Sequence, residues 1–247
     1  MIIIADAHID ESRGNLFDFF QMLEAIEKTD HDVVFLGDIF ELWIALPRYE
    51  KGFHKNFLSW CGTQKCRRTV GFIEGNHEYF VAAQKQKYFS WCSDGAGWPD
   101  AQGLLFCHGD QINRSDKNYL LFRKISKNPI SQRLVRLLPL GPRIGEMLKR
   151  YLKRTNLDFR KSIPTKAIAD FAETQFKAGF QTIFAGHFHR AYWYRNADSK
   201  ALYIVPGWFK AEQITLYEKE SGRISSCDWR ELQHQSKPKQ TSKATEP

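Results

Sequence analysis

Five short polar blocks, each placed directly after an apolar run, constrain the fold of this chain more than any other feature. The blocks are Asp6-Ala7-His8, Gly37-Asp38, Gly75-Asn76-His77-Glu78, His108-Gly109-Asp110 and Gly186-His187-Phe188-His189. Apolar, β-branched runs of about four residues are typical of buried strands. Each block is therefore expected at the end of a strand, and the fold must bring several strand ends together.

The side chains of these blocks are the kinds that bind divalent metal ions. Carboxylate oxygens, imidazole nitrogens and an amide oxygen together favour manganese, iron or zinc, and no thiolate is required. A single Gly-Asp or Gly-His pair is usually only a turn, but five blocks that each follow an apolar run favour a common site for two ions. The candidate ligands are Asp6, His8, Asp38, Asn76, His108, His187 and His189.

Length and composition predict one enzyme domain. The 247 residues, of which 43% are hydrophobic, suffice for one large core. No apolar run approaches the length of a membrane span, and the first residues do not resemble a secretory signal, so we expect the protein in the cytoplasm. Five cysteines, an odd number without C-x-x-C spacing, indicate reduced thiols. We predict a domain over residues 1–234, and a disordered tail rich in Lys, Ser, Thr and Pro over 235–247.

The order of the apolar patterns predicts the fold class. Strands and amphipathic helices alternate as far as Ala185, and several short strands with turns between them follow. This order indicates an α-β-β-α sandwich of two mixed β-sheets flanked by helices. Strands are predicted at residues 2–5, 33–36, 70–73, 104–107, 182–185, 191–194, 201–205, 213–217 and 224–229, and helices at 16–26, 53–60 and 168–176.

Residues 111–165 form a basic insertion in this pattern. The segment holds fourteen Lys and Arg against three acidic residues, so it carries about +11, whereas the whole chain carries +8. Apolar residues at helical spacing, Ile144, Met147, Leu148, Tyr151 and Leu152, follow Pro142, which favours a helix start. Two interpretations are open. An apolar face flanked by cations suits an anionic membrane or a phosphorylated lipid, but it also suits an ordinary helical cap on the core.

The order and chemistry of the five blocks resemble the calcineurin-like metallophosphoesterases over roughly residues 1–230. The resemblance implies that Asp38 bridges two metal ions. It implies that Asp6, His8 and His189 complete the coordination of one ion and that Asn76, His108 and His187 complete the coordination of the other. Hydrolysis of a phosphoester would then depend on Asp38, Asn76 and His77, with His77 stabilising the transition state or protonating the leaving group.

A narrower resemblance is to the UDP-2,3-diacylglucosamine pyrophosphatases. It is carried by Gly37 to Ile44, by the stretch from His108 through Asp116, Tyr119, Phe122 and Arg123, and by the basic insertion. That family cleaves a lipid-linked sugar nucleotide at the inner face of the bacterial inner membrane during lipid A synthesis, and releases UMP and diacylglucosamine 1-phosphate. The resemblance implies a peripheral membrane location, a helical lid formed by the insertion, and substrate contacts from Asp116, Tyr119, Arg123 and Lys166. The helical spacing of apolar residues in the insertion further predicts that Leu148 and Leu152 meet the acyl chains.

One block departs from this narrower family, which has Gly-Asn-Arg-Asp where this chain has Gly75-Asn76-His77-Glu78. The metal ligands are kept, but another membrane-associated phosphodiester or pyrophosphate stays open as substrate. A nuclease or cyclic-nucleotide phosphodiesterase would use the same metals. Basic residues interleaved with Leu and Ile rather than with stacking aromatic residues argue against nucleic acid as a partner. A non-catalytic membrane-binding scaffold is disfavoured because no ligand position has been lost.

Overall fold

The computed structural model describes residues 1–95, 97–139, 141–143, 145–147 and 163–232. The strands are β1 Ile2–Ile4, β2 Val33–Phe35, β3 Trp43–Ile44, β4 Val70–Ile73, β5 Glu78–Tyr79, β6 Trp91–Ser93, β7 Trp98–Pro99, β8 Leu104–Cys107, β9 Thr182–Ala185, β10 Tyr192–Arg195, β11 Ala201–Ile204, β12 Gln213–Glu218 and β13 Arg223–Asp228. The helices are α1 Leu16–Glu27, α2 Gly52–Gln64, α3 Val81–Lys85, α4 Lys117–Ser126, α5 Pro129–Leu137, α6 Thr165–Lys177 and α7 Trp208–Ala211. Short 3-10 turns lie at Glu11–Arg13, Gln86–Tyr88 and Trp229–Glu231.

Two mixed sheets form the centre of the molecule. The first has six strands in the order β13-β12-β1-β2-β4-β6, and the second has five in the order β10-β11-β9-β8-β7. Within the first sheet β1, β2, β4 and β6 are parallel, whereas β12 pairs antiparallel with both of its neighbours, β1 and β13. Within the second, β8, β9 and β11 are parallel and the two edge strands are antiparallel. The predicted fold class is confirmed.

Alternation of side chains along the strands produces the layers. In β1, Ile2 and Ile4 point toward α1 and α2 and share a cluster with Phe19 and Phe57. The intervening Ile3 faces the second sheet and packs in one cluster with Phe184. Both faces of the strand are therefore buried, which explains its continuous apolar run.

The second sheet buries its outer face in the same way. Leu105 and Ile183 pack against Ile168 and Phe176 of α6, which forms the opposite outer layer. The helical spacing at residues 168–176 therefore marks the face of α6 that covers the sheet.

Several short elements carry no clear sequence signal. The two-residue strands β3 and β5 pair in parallel with each other in a small separate sheet. The single helical turn α7 follows Gly207, and its first amide donates to the carbonyl of Ala5 at 2.9 Å. Elements this short have no room for periodicity, so tertiary contacts and not local patterns determine them.

Two helices of the basic insertion, α4 and α5, lie within the described residues. Val135 of α5 packs against a small apolar cluster formed by Leu46, Tyr79 and Phe80, and the hydroxyl of Tyr49 donates to the carbonyl of Val135 at 2.7 Å. Leu148, Leu152 and the tail at 235–247 lie outside the described residues, so the predicted boundaries stay predictions. No helix of the described ranges is long and apolar enough to cross a bilayer.

Candidate metal centre

The predicted ligands meet where the parallel strands β1, β2, β4, β8 and β9 end. Five of the seven adopt a left-handed backbone conformation, with φ of 50° at Asp6, 46° at His8, 51° at Asp38, 73° at His187 and 59° at His189. Residues other than glycine rarely adopt this conformation, and such residues concentrate at functional sites. The chain therefore turns sharply after β1, β2 and β9, where these polar side chains reach the centre.

One group of side chains consists of Asp6, His8 and His189. The Nε2 atoms of His8 and His189 lie 3.4 Å apart, and the Nε2 of His189 lies 3.5 Å from Oδ1 of Asp6. The other carboxylate oxygen of Asp6 accepts a hydrogen bond from the amide of His187 at 2.8 Å. These three side chains offer ligand atoms within 4.8 Å of one another, which is a separation that one metal ion can span.

A second group surrounds Asn76. Its amide oxygen lies 3.1 Å from Nε2 of His108 and 3.0 Å from Nδ1 of His187. The Nδ1 of His108 lies 2.7 Å from the carbonyl oxygen of Leu36. A carbonyl oxygen can only accept, so Nδ1 carries the proton and Nε2 is left to bind a metal.

Asp38 lies between the two groups. Its Oδ2 is 3.5 Å from Nε2 of His108, 3.8 Å from that of His77 and 4.0 Å from that of His8. Its Oδ1 accepts a hydrogen bond from the amide of His77 at 2.8 Å. The structure thus brings together all seven predicted ligands, with Asp38 in the position from which a carboxylate can reach both groups.

The electrostatics of the centre call for positive charge. Burial, with a contribution from Asp38, raises the pKa of the Asp6 carboxyl to about 8. Although burial opposes it, the imidazoles of His77 and His108 lower the pKa of Asp38 well below its usual range. Oδ1 of Asp6 is buried and accepts no hydrogen bond from the described residues. A buried oxygen of this kind, facing imidazole nitrogens, fits a cation.

Glu78 organises the centre without facing it. Its carboxylate is fully buried and accepts hydrogen bonds from the amides of Asp38 at 2.9 Å, Ile39 at 2.7 Å and Gly75 at 2.7 Å. The two loops come so close that a Cβ on Gly75 would lie 2.2 Å from Oδ1 of Asp38. Glu78 has no role among the predictions made from the sequence. The signal was present, because an acidic residue that precedes an apolar run needs buried partners.

Three of the predicted substrate contacts have partners within the protein. Tyr119 and Arg123 on α4 both bind Oδ2 of Asp110, with Nε of Arg123 at 2.6 Å. The carboxylate of Asp116 accepts from the amide of Tyr119 at 2.9 Å and so caps the start of α4. Lys166 lies exposed in the first turn of α6. The Asp110 contacts fix α4 directly beside the ligand His108.

Residues 1–191 match the calcineurin-like phosphoesterase family, which is most of the chain. The fold, the strand-end ligands and this match agree, and the chain belongs to that family. The class of protein is therefore a metal-dependent phosphoesterase.

Curated relatives carry a more specific name. The chain is 26% identical over 210 residues to the UDP-2,3-diacylglucosamine hydrolase of Pseudomonas fluorescens, covering 77% of this chain and 78% of that protein. It is 25% identical over 248 residues to the protein of the same name from Pseudomonas syringae, covering 93% and 96%.

Solved structures give weaker likenesses. Vacuolar protein sorting 29 from Cryptosporidium parvum matches with a TM-score of 0.38 and 12% identity, over 92% of this chain and 94% of that one. A dimetal phosphatase from Danio rerio matches with a TM-score of 0.39 and 12% identity, over 91% and 90%.

Proposed function

We propose that this chain is a two-metal phosphohydrolase that cleaves the phosphoanhydride of a membrane-associated, lipid-linked sugar nucleotide. The substrate we favour is UDP-2,3-diacylglucosamine, and its products would be UMP and diacylglucosamine 1-phosphate. The observation that carries the proposal is that the carboxylate of Asp38 lies between the two side-chain groups at the strand ends, 4.0 Å from His8 of one and 3.5 Å from His108 of the other.

The residues present fit two divalent ions. Asp6, His8 and His189 would hold one, Asn76, His108 and His187 would hold the other, and Asp38 would bridge them. Manganese is the ion we favour for this mixed set of carboxylate, amide and imidazole ligands, and iron or zinc would also suit it. Two such ions supply a water nucleophile at neutral pH and neutralise charge on the phosphoryl oxygens.

His77 is the proposed acid for the leaving group. Its Nδ1 lies 2.6 Å from the carbonyl oxygen of Glu41, so that nitrogen carries a proton and Nε2 faces Asp38. The side chain is buried beside the proposed ions. In the imidazolium form, which carries a proton on each ring nitrogen, its Nε2 would donate the second proton to the oxygen that departs from phosphorus, and Nδ1–H would be kept.

The exposed side chains of the lid are an argument for a lipid as the substrate. Among the described residues ten large apolar side chains are exposed, and eight of them lie between residues 121 and 147. These eight are Leu121, Phe122, Ile125, Ile130, Leu134, Leu137, Leu138 and Met147. Clustered exposed apolar residues mark a binding surface more often than chance.

Charge supports the same substrate. Exposed cations such as Lys124 and Arg133 lie on α4 and α5 among the exposed apolar residues, and this combination suits a phospholipid surface. We therefore propose that the protein docks peripherally on the cytoplasmic face of the inner membrane. Leu148 and Leu152 are proposed to meet acyl chains or the bilayer, and Lys166 is proposed to contact the substrate.

The test compares substrates that differ only in their acyl chains. With Mn²⁺, UDP-2,3-diacylglucosamine should yield UMP far faster than UDP-N-acetylglucosamine does, and a chelator should abolish both reactions. Equal rates on the two nucleotides would refute the lipid substrate and leave a general phosphohydrolase. Preferred hydrolysis of single-stranded nucleic acid or of a cyclic nucleotide would replace the proposal altogether.

A further inference from the structure

Glu41 contacts two histidines of the centre through two different groups. Its carboxylate oxygen Oε2 lies 3.5 Å from Nδ1 of His8. Its main-chain oxygen lies 2.6 Å from Nδ1 of His77. In both rings the opposite nitrogen, Nε2, faces Asp38. One residue therefore sits behind both imidazoles.

The carboxylate of Glu41 is held in place from its other side. Nη2 of Arg13 lies 2.6 Å from the same Oε2, and the guanidinium of Arg13 stacks over the ring of Phe209 at 4.3 Å. The Glu41 side chain is only 5% exposed and that of Arg13 13%. A buried ion pair with a fixed partner keeps the carboxylate charged and correctly oriented.

The loop that carries Arg13 is tied to the same strand end. The side-chain Nδ2 of Asn15 donates to the main-chain carbonyls of Ala7 and His8, both at 3.3 Å. Asp10 caps the short turn that contains Arg13 by accepting from the amide of Ser12 at 3.0 Å. These contacts fix the position of Arg13 relative to His8, although none of them joins the two residues directly.

We propose that Glu41 is a positioning residue that sets the tautomer of His8 with its carboxylate and that of His77 with its carbonyl. A proton on Nδ1 of His8 leaves the Nε2 lone pair free for a metal, and a proton on Nδ1 of His77 fixes which nitrogen faces the substrate. Arg13 acts through Glu41. This role rests on the proposed function, because it presumes bound metal ions. The contacts of Glu41 with the two rings do not depend on it.

The proposal separates the two histidines by experiment. Replacing the side chain of Glu41 removes the contact to His8 and leaves the main-chain contact to His77. A general structural role for Glu41 would instead disturb both rings together. Glu50 provides the matched control, because its buried carboxylate pairs with Lys85 at 2.7 Å and accepts from the indole of Trp43 at 3.2 Å.

The first measurement is the ring tautomer of each histidine in the metal-depleted full-length chain, read from long-range ¹⁵N–¹H spectra at neutral pH. The eight histidines are assigned from single His→Asn variants. We expect Nδ1–H in both His8 and His77 of the wild type. In Glu41→Ala, His8 should shift toward Nε2–H while His77 is unchanged, and Glu50→Ala should alter neither.

The second measurement is Mn²⁺ binding by calorimetry. Loss of a carboxylate behind a ligating histidine should weaken the affinity roughly 10–100-fold in Glu41→Ala. Glu41→Gln keeps an oxygen acceptor and should lose less, and Arg13→Gln should fall between it and the wild type. Glu50→Ala should bind Mn²⁺ as the wild type does.

Three outcomes would overturn the proposal: an unchanged His8 tautomer in Glu41→Ala, a joint change of both rings, or equal losses of affinity in Glu41→Ala and Glu50→Ala. If Glu41→Ala does not fold, unaltered Mn²⁺ binding in both Glu41→Gln and Arg13→Gln refutes it. A wild type that binds no Mn²⁺ would contradict the proposed function, yet the ring tautomers would still decide the role of Glu41.

Discussion

The metal centre and the lid are unusual in opposite ways, because the centre buries charged side chains and the lid exposes apolar ones. In the centre, acidic and imidazole side chains are buried, including Asp6, Asp38 and His108. On α4 and α5, large apolar side chains are exposed, and Leu137 reaches 76%. Burying charge and exposing apolar area both cost free energy. The proposed function accounts for both regions, because cations would offset the buried charge of the centre and acyl chains or the bilayer would cover the apolar side chains of the lid.

The two regions also differ in the contacts that hold them. Hydrogen bonds from main-chain amides tie the loops of the centre to one another, as those from Asp38 and Gly75 to Glu78 show. The described residues of the lid meet the core through side-chain contacts, among them that of Lys127, whose Nζ lies 2.5 Å from the carbonyl oxygen of Gly75. We infer that reaction chemistry belongs to the centre and substrate choice to the lid. If so, substitutions in the two regions should have separable effects.

The largest effect is expected from Asp38→Ala. Loss of the shared carboxylate should lower kcat by roughly 1,000-fold or more on every substrate, because charge stabilisation and nucleophile activation are lost together. The measurement is steady-state hydrolysis of an aryl phosphodiester, together with metal content and circular dichroism. A variant that keeps more than about a tenth of wild-type kcat with normal metal content would contradict the assignment, since that is only about 1.4 kcal/mol of barrier.

His77→Ala should have the next largest effect and should depend on the leaving group. Removing a general acid typically costs about 10²–10⁴-fold when the departing oxygen is basic, and little when it is not. The rates are compared on alkyl and nitrophenyl esters of one phosphate. Equal losses on both would assign His77 to positioning or charge stabilisation. The separation of chemistry from substrate choice would survive that outcome.

The paired substitution Leu134→Ser and Leu137→Ser tests the lid directly. Each side chain should lose up to about 1.5–3 kcal/mol if acyl chains or the bilayer bury it fully. Hydrolysis of the diacylated substrate should therefore fall at least about tenfold, while a soluble aryl phosphodiester is cleaved at the wild-type rate. Phe17→Ser is the matched control, because Phe17 is 71% exposed and lies on α1. Equal loss on both substrates would mean that the lid merely supports the fold.

The smallest effect is expected from charge reversal on the lid. Lys124→Glu with Arg133→Glu should weaken binding to anionic vesicles by about 1 kcal/mol per residue at low salt. The difference should shrink as salt rises, because exposed charges are screened. Sedimentation of vesicles with and without phosphatidylglycerol gives the measurement, with Lys55→Glu on α2 as the control. A loss that is independent of salt would exclude the electrostatic contribution.

The sequence allowed most of the central fold to be predicted. Strands β4, β8 and β9 lie where their apolar runs predict, and α1 and α6 follow helical spacing, because buried elements leave periodic patterns. The small sheet of β3 and β5 and the turn α7 were not predicted. These elements take their conformation from contacts distant in sequence, such as that of Trp208 with Ala5.

The candidate site likewise contains residues that the sequence predicts and residues that it does not. The side chains that meet at the strand ends are marked in the sequence by their type and by their place after a strand, so all seven proposed ligands could be predicted. Glu41 and Glu78 act through contacts to main-chain groups and ring nitrogens, which spacing alone does not reveal. Asp116, Tyr119 and Arg123 contact one another or Asp110 in the structure. Their proposed contacts with substrate stay a prediction.

The left-handed backbone conformation at five proposed ligand positions lowers the thermal stability of this protein at the residues that its proposed activity requires. A non-glycine residue in that conformation costs on the order of 1 kcal/mol or more, and glycine adopts it freely. Glycine at His189, where φ is 59°, would relax the chain while removing a ligand. Selection for stability alone would therefore favour loss of the ligands, and a duplicated gene freed from catalysis is expected to drift at these positions first.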